Sequence, residues 1–163
     1  MYNNYYRQNA SNTIPNELTN NETYPLMQEI ISSIVELYHK EHKNLDMYQS
    51  LLELSPNMEY EEIILDIIEQ TTDNVRYLSQ MYLGFTGDTV DQLTLPQSDI
   101  PSLSFLELLK NTLFSKIDTL KQYESLYTTI PIQPYKDILL EIIISQLKDA
   151  TFSNYLISSQ AFL

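Results

Sequence analysis

The feature that most constrains the fold is an internal repeat: the chain aligns with itself, without a gap, when it is shifted by 75 residues. Between residues 45–68 and 120–143, ten of 24 positions are identical. The identical pairs include Pro56/Pro131 and the tyrosines that flank these prolines, Tyr48/Tyr123 and Tyr60/Tyr135. Unrelated amphipathic helices rarely keep a proline and both flanking tyrosines in one register. The repeat therefore predicts two copies of one structural unit.

Each copy has the pattern of two helices joined near its proline. Apolar residues recur at helical spacing over residues 25–54 and 59–83, and again over 104–127 and 134–158. Ser104 and Glu107 have the spacing of a capping box. Residues 84–102 contain both glycines of the chain and two of its seven prolines, which indicates a long connection. We predict an all-α, antiparallel four-helix bundle made of two repeated αα-hairpins and one long crossover.

Composition excludes several classes of protein. With 22 acidic and nine basic residues the net charge is −13, which repels phosphate backbones and anionic lipid. There is no cysteine to form a disulfide or a thiolate ligand. No apolar run has the length of a membrane helix, and the polar N-terminus does not resemble a signal peptide. We expect synthesis in the cytoplasm, no nucleic-acid partner and no membrane insertion.

Residues 1–24 differ from the rest of the chain. They hold seven asparagines and four tyrosines, with Arg7 as their one base, and they show no helical period. This composition predicts an N-terminal arm outside the bundle, which would occupy residues 25–163 and end in a short tail after residue 158. Because such segments can pair with an edge or a groove of a neighbouring molecule, the arm is a candidate for self-association.

Residues 25–158 resemble the bacterial rubrerythrin-type, ferritin-like diiron-carboxylate proteins, particularly short members from spore-forming bacteria. The resemblance rests on Tyr82-Leu-Gly-Phe-Thr-Gly87, which is similar to a motif that closes the second helix of that family, and on Tyr123-Glu-Ser-Leu-Tyr127 and Phe152-Ser-Asn-Tyr-Leu156. It implies a ferritin-like bundle. It also implies that each hairpin supplies one Glu seven residues before a Tyr, and one Glu-x-x-His, to a diiron centre.

This chain departs from that ligand pattern at five of the six positions that the resemblance implies. The positions, which the repeat relates in three pairs 75 residues apart, are Glu41, Thr71, Asn74, Lys116, Gln146 and Asp149. Two metal ions need several ionised carboxylates and neutral imidazoles. Lys116 would instead place an ammonium where iron should sit. We therefore expect no bound metal, no cofactor and no catalysis.

The polar residues that remain at these positions still need partners, because an unpaired buried charge is costly. We expect the ammonium of Lys116 to stand in for the metals and to bridge the carboxylates of Glu41 and Asp149. The alternative is that Lys116 extends outward along its stem and keeps its charge in solvent.

Two other groups of residues could bind metal. Glu36 and His39 form a Glu-x-x-His, with His42 nearby, but helical spacing places Glu36 and His39 away from the face of Glu41. A solvated face is the simpler interpretation, and a weak surface metal site is the alternative. Glu69 and Asp73 could supply a carboxylate if the second helix shifted by one residue, but that shift would break the alignment of the repeat.

These observations favour a non-catalytic, ferritin-like structural protein that forms homo-oligomers or a larger assembly, in which the N-terminal arm could take part. The resemblance to proteins of spore-forming bacteria suggests a spore surface or another spore-associated assembly. A first alternative is a residual metal-binding or iron-handling oxidoreductase that uses Glu41 and Asp149. A second is an inactive regulatory partner of a ferritin-like paralogue.

Overall fold

The computed structural model describes residues 20–90 and 103–160, with the side chains from residue 25 onward. It contains four helices: α1 (Asn20–Glu53), α2 (Met58–Thr86), α3 (Phe105–Thr129) and α4 (Gln133–Gln160). No strand occurs within these residues, and the predicted all-α four-helix bundle is confirmed. Most of the predicted arm, residues 91–102 of the crossover, and residues 161–163 lie outside the described part. None of the four helices has the length and apolar character needed to span a membrane.

Helix α1 begins earlier than the sequence predicts. The sequence predicts a start at Pro25, whereas the helix begins at Asn20 and contains this proline. Proline lacks an N–H group and clashes with the carbonyl four residues before it. At Pro25 that carbonyl belongs to Asn21, so the missing hydrogen bond lies at the very start of the helix and the later turns keep theirs. Residues 20–24 are therefore helical and do not belong to an irregular arm.

The ends of α2 and α3 follow recognisable capping patterns. Gly87 ends α2 in the left-handed conformation, with φ of 78°, and its N–H donates to the Leu83 carbonyl. Gly84, where we predicted that the crossover begins, lies inside α2. The capping box of Ser104 and Glu107 at the start of α3 is confirmed, because each residue's side chain accepts from the backbone N–H of the other.

The four helices pack as two hairpins, α1 with α2 and α3 with α4. Helix α1 also packs along α3, and α4 makes a smaller contact with α2, whereas the pairs α1/α4 and α2/α3 lie diagonally across the bundle. Buried apolar side chains form two clusters toward opposite ends of the bundle. The repeat exchanges them, since one contains Tyr123, Leu126, Leu139 and Ile142 and the other contains the equivalent residues Tyr48, Leu51, Ile64 and Ile67.

This exchange identifies an approximate twofold axis across the middle of the bundle. The Tyr60 hydroxyl of α2 hydrogen bonds to Ser159 of α4, and the equivalent Tyr135 of α4 packs against Gly84 of α2. Ser159 and Gly84 are themselves 75 residues apart. Ser145 and Gln70, which are equivalent to each other, hydrogen bond directly, as residues beside such an axis do.

Candidate functional site

A layer of buried polar side chains separates the two apolar clusters. All six positions that the family resemblance implies as ligand positions lie in this layer, and each is at most 2% exposed. The structure therefore brings together the residues that the sequence places in one site. The members of the layer are Glu41, Asn44, Thr71, Asn74, Thr112, Lys116, Thr119, Gln146, Asp149 and Ser153.

Glu41 of α1 is surrounded by neutral hydrogen-bond donors. Its Oε1 accepts from the Tyr123 hydroxyl at 2.8 Å, from Gln146 Nε2 at 2.6 Å and from Asn74 Nδ2 at 3.3 Å. Its Oε2 accepts from Asn44 Nδ2 at 3.1 Å, one helical turn along α1. Four donors occupy about as many lone-pair sites as a carboxylate offers, so Glu41 is satisfied without a cation.

Lys116 of α3 has a charged partner. Its Nζ lies 3.0 Å from Asp149 Oδ2 of α4, and both side chains are fully buried. The ammonium also donates to Thr71 Oγ1 at 3.1 Å. It lies 5.4 Å from the centroid of the Tyr48 ring, within the range of a cation–π interaction. Three helices other than its own thus contribute to the surroundings of Lys116.

Burial and charge shift the pKa values of these groups in ways that keep Lys116 charged and both tyrosines neutral. Burial opposes the charge of Lys116, but the negative charges of Glu41 and Asp149 and the hydrogen bond to Asp149 favour it, and the pKa of Lys116 is raised. Burial raises the pKa of Tyr48. Burial, the charge of Glu41 and the hydrogen bond to it raise the pKa of Tyr123, which remains the donor in that bond. Burial also raises the pKa of Asp149, although Lys116 partly offsets this shift.

Glu41 and Lys116 have equivalent neighbours under the repeat. Tyr123, Gln146 and Asn74 contact Glu41, and the residues 75 positions away from these three contact Lys116. Those equivalents are Tyr48, Thr71 and Asp149. The site therefore consists of two equivalent half-sites, one built around a carboxylate and the other around an ammonium.

Several polar atoms of the site have no hydrogen-bond partner among the described residues. These atoms are the hydroxyl oxygens of Tyr48 and Ser153, Gln146 Oε1 and Asp149 Oδ1. Ser153 adjoins Tyr48 and acts to lower the pKa of Tyr48, against the larger effect of burial. Three of the four residues, all but Gln146, belong to the Lys116 half-site or adjoin it, so that half is less completely satisfied than the Glu41 half.

The donor set does not fit a diiron centre. Glu41 and Asp149 are its two carboxylates, and the second of these is paired with the ammonium of Lys116. The remaining positions supply one hydroxyl and two carboxamides, which are weak ligands for iron. Within residues 25–90 and 103–160, no cluster of three or more His, Asp and Glu side chains has the arrangement of a metal site.

The predicted bridge through Lys116 differs from the observed one. Lys116 pairs with Asp149, but no ion pair or hydrogen bond joins it to Glu41, whose oxygens are already taken by neutral donors. The alternative that Lys116 extends to solvent is wrong, because this residue is 1% exposed. The charge of Glu41 acts on Lys116 through space and not through direct contact.

The other metal-binding candidates lie outside the polar layer, and among the described residues they form no group of three or more that could hold a metal ion. Glu36 accepts from Gln122 of α3 at 2.6 Å and lies 3.6 Å from Lys40, so it is turned toward α3. His42 packs edge-on against the Tyr38 ring, with 4.6 Å between ring centroids, and burial lowers the pKa of His42. On α2, Glu69 and Asp73 are exposed and lie outside the polar layer, where Thr71 and Asn74 take the inward positions.

Sequence analysis missed the partners of Glu41. Asn44 is outside the positions that the resemblance implies, although a polar residue one turn from a buried carboxylate is well placed to hydrogen bond with it. Tyr123 and Tyr48 served as markers of register and were not assigned to the site. Their identity across the repeat, seven residues after Glu41 and Lys116, was the signal that could have identified them.

Comparison with known proteins supports the fold. No protein-family model matches the chain, and no curated protein matches it. Among solved structures, the chain is similar to a ferritin-like, diiron-carboxylate protein from Bacillus anthracis str. Ames, with a TM-score of 0.69 and 16% sequence identity. The match covers 81% of this chain and 97% of that one. The chain therefore has the ferritin-like four-helix bundle fold.

Proposed function

We propose that this chain is a non-catalytic, ferritin-like structural protein that associates with itself in a larger assembly. The observation that carries the proposal is the pair of Lys116 and Asp149, 3.0 Å apart and fully buried in the polar layer of the bundle. A buried ammonium repels a divalent cation, and its partner carboxylate is no longer free to bind one.

The rest of the layer supports the same conclusion. The Glu41 carboxylate is satisfied by Tyr123, Gln146, Asn74 and Asn44, none of which is charged. A metal that displaced these donors would leave their polar groups buried without partners. The layer thus holds four helices together through hydrogen bonds and one ion pair. The bundle keeps its packed core but not a complete set of metal ligands. Its surface is therefore the part that remains available for function.

The setting that we propose is a spore-associated assembly. It rests on the resemblance of residues 25–158 to short ferritin-like proteins of spore-forming bacteria. The N-terminal arm remains a second proposed contact in such an assembly, alongside the surface of the bundle.

The proposal is tested by iron loading of untagged protein. The full chain is incubated with ferrous iron in air, desalted and subjected to elemental analysis. We expect well under one iron per chain and no absorbance band of an oxo-bridged iron pair. An iron content close to two per chain would overturn the non-catalytic proposal, and a content near one would favour the alternative that Glu41 and Asp149 bind a single metal.

Two variants make this measurement decisive. His39→Asn/His42→Asn removes both histidines of the chain, so metal that is lost in this variant was bound adventitiously on α1. The fivefold variant Thr71→Glu, Asn74→His, Lys116→Glu, Gln146→Glu and Asp149→His carries the ligand set that the resemblance implies. If it folds, it is expected to take up iron under the same conditions, which shows that the assay detects a complete site.

A further inference from the structure

Helices α3 and α4 together expose large apolar side chains on their outer side, a surface that we call the α3–α4 face. On α4, Leu140, Ile144 and Leu147 are 46%, 59% and 51% exposed, and their spacing places them on one stripe opposite the core. Tyr155 lies further along α4 and is 47% exposed, with its hydroxyl donating to Glu59 of α2. On α3, Phe114 and Ile117 are 67% and 39% exposed. A helix with apolar residues on both its core-facing and its outward-facing side is usually packed against other protein surfaces on both sides.

The repeat supplies an internal comparison for this face. The positions equivalent to it lie on the outer side of α1 and α2, and most of them are polar. Leu65 is the one large apolar side chain among them. In the order of the face residues from Phe114 to Tyr155, the equivalent residues are His39, His42, Leu65, Glu69, Thr72 and Gln80. The two repeated hairpins therefore differ in the polarity of their outer sides. The hairpin fold itself does not require an apolar outer side.

The two hairpins also differ in net charge. Residues 20–90 hold 13 acidic and three basic residues, for a net charge of −10. Residues 103–160 hold six acidic and five basic residues, for a net charge of −1. Two copies that met through α1 and α2 would bring like charges together. Two copies that meet through α3 and α4 would not, because the exposed residues there include Lys110 and Lys121 on α3 as well as Asp137 and Glu141 on α4.

We infer that two copies of this chain associate through their α3–α4 faces about a twofold axis. The inference rests on the proposed function, because it identifies the surface used for self-association. An isologous contact suits a surface that is apolar at its centre, mixed in charge at its edges and nearly neutral overall. Two adjacent helices of this length, each about 10 Å wide and about 40 Å long, present about 800 Å², which is the area per partner in a standard-size interface.

The test is the molar mass of the full chain in solution, measured by light scattering over a wide range of concentrations. The wild-type chain is expected at twice its mass of 19.1 kDa, or at a higher even multiple. The variant Ile144→Glu/Leu147→Thr gives these two positions of the α3–α4 face the residues found at the equivalent positions of α2. Its mass is expected to fall to that of the monomer, or to half the mass of a larger oligomer. Because both side chains are more than half exposed, the helical signal and the unfolding transition should not change.

Leu140→Glu and Leu65→Glu form a matched pair, because the two leucines are equivalent in the repeat and similarly exposed, at 46% and 51%. The first substitution is expected to weaken association, and the second is expected to leave the mass unchanged. If both variants lower the mass equally, or if neither they nor the double variant does so, the inference about this face is wrong and self-association through another surface stands. A wild-type chain that is monomeric throughout would instead overturn the self-association in the proposed function.

Discussion

Glu41 and Lys116 occupy equivalent positions of the two hairpins, and the structure gives them equivalent neighbours although their charges are opposite. The carboxylate depends on neutral donors, and the ammonium depends on the carboxylate of Asp149. The two half-sites should therefore respond differently to substitution. Removing one of the neutral side chains that donate to Glu41 eliminates one hydrogen bond. Removing the ammonium of Lys116 leaves the buried carboxylate of Asp149 without its counter-charge.

We expect Lys116→Met to lower the free energy of unfolding by about 3–5 kcal/mol near neutral pH, because it leaves a buried carboxylate unpaired. The penalty should shrink in acid. Burial already raises the pKa of Asp149 above its ordinary value of 3.8, and without Lys116 that pKa rises further. A carboxyl group whose pKa is raised in the folded state contributes stability at pH values below its unfolded-state pKa. This contribution is lost as the pH rises through the folded-state pKa, so the variant should be least stable near neutral pH. Urea unfolding of variant and wild type at about pH 4 and about pH 7.5 measures the difference.

Lys148→Met is the control for this substitution. Lys148 pairs with Asp66 on the surface, where the two side chains are 49% and 43% exposed. An exposed pair contributes about 1 kcal/mol or less. We therefore expect a small change that hardly depends on acid pH. A Lys116→Met penalty that is equally small, or one that is the same at both pH values, would contradict the assignment of Lys116 as the counter-charge of Asp149.

The double variant Lys116→Met/Asp149→Leu should be more stable than Lys116→Met alone at neutral pH. Replacing both members of a buried ion pair with apolar side chains is often neutral, because their desolvation is removed together with their attraction. We expect recovery of most of the lost free energy, to within about 1–2 kcal/mol of the wild type. A double-mutant cycle that includes Asp149→Leu measures the coupling. Additive losses would show that the two residues do not act as a pair.

The sequence, with the family resemblance, was sufficient to predict the four-helix bundle and six of the ten residues of the polar layer. The family resemblance implied the six positions, the repeat of 75 residues relates them in three pairs, and the structure buries all six together. Helical periodicity and Gly87 also located the end of the first hairpin to within a few residues. The helices and the repeat depend on spacing along the chain, which the sequence contains directly, whereas the choice of the six positions depends on the family resemblance.

The contacts within the layer could not be predicted in the same way. Whether Lys116 reaches Glu41 or Asp149 depends on how far α1, α3 and α4 stand apart, and spacing along one helix contains no such distance. The start of α1 at Asn20 was missed because proline is a strong helix breaker on average, although it is tolerated near a helix start. Gly84 was assigned to the crossover because glycine disfavours helices, whereas its role is to make room for Tyr135.

Tyr123→Phe and Tyr48→Phe test the inequality of the half-sites at equivalent positions. The Tyr123 hydroxyl donates to Glu41 at 2.8 Å, whereas the Tyr48 hydroxyl has no hydrogen-bond partner among the described residues. Losing a donor to a buried charged group costs about 1.5–3 kcal/mol. We expect a loss of this size for Tyr123→Phe and a smaller or negligible loss for Tyr48→Phe, whose ring remains beside Lys116. Urea unfolding at neutral pH measures both, and equal losses would show that the two hydroxyls have the same environment.

Gly84→Ala should destabilise the bundle even though alanine is the better helix former by about 1 kcal/mol. The position that a Cβ would take at Gly84 is occupied by the Tyr135 hydroxyl, so the tyrosine ring must move away from α2. That movement disturbs its contact with Phe85, where the ring centroids are 5.0 Å apart. We expect a net loss of about 1–3 kcal/mol, as is typical of overpacking. Tyr135→Phe removes the clashing oxygen, so Gly84→Ala in that background should cost less. A Gly84→Ala variant as stable as the wild type would mean that the Tyr135 ring can move away from α2 without a loss of stability.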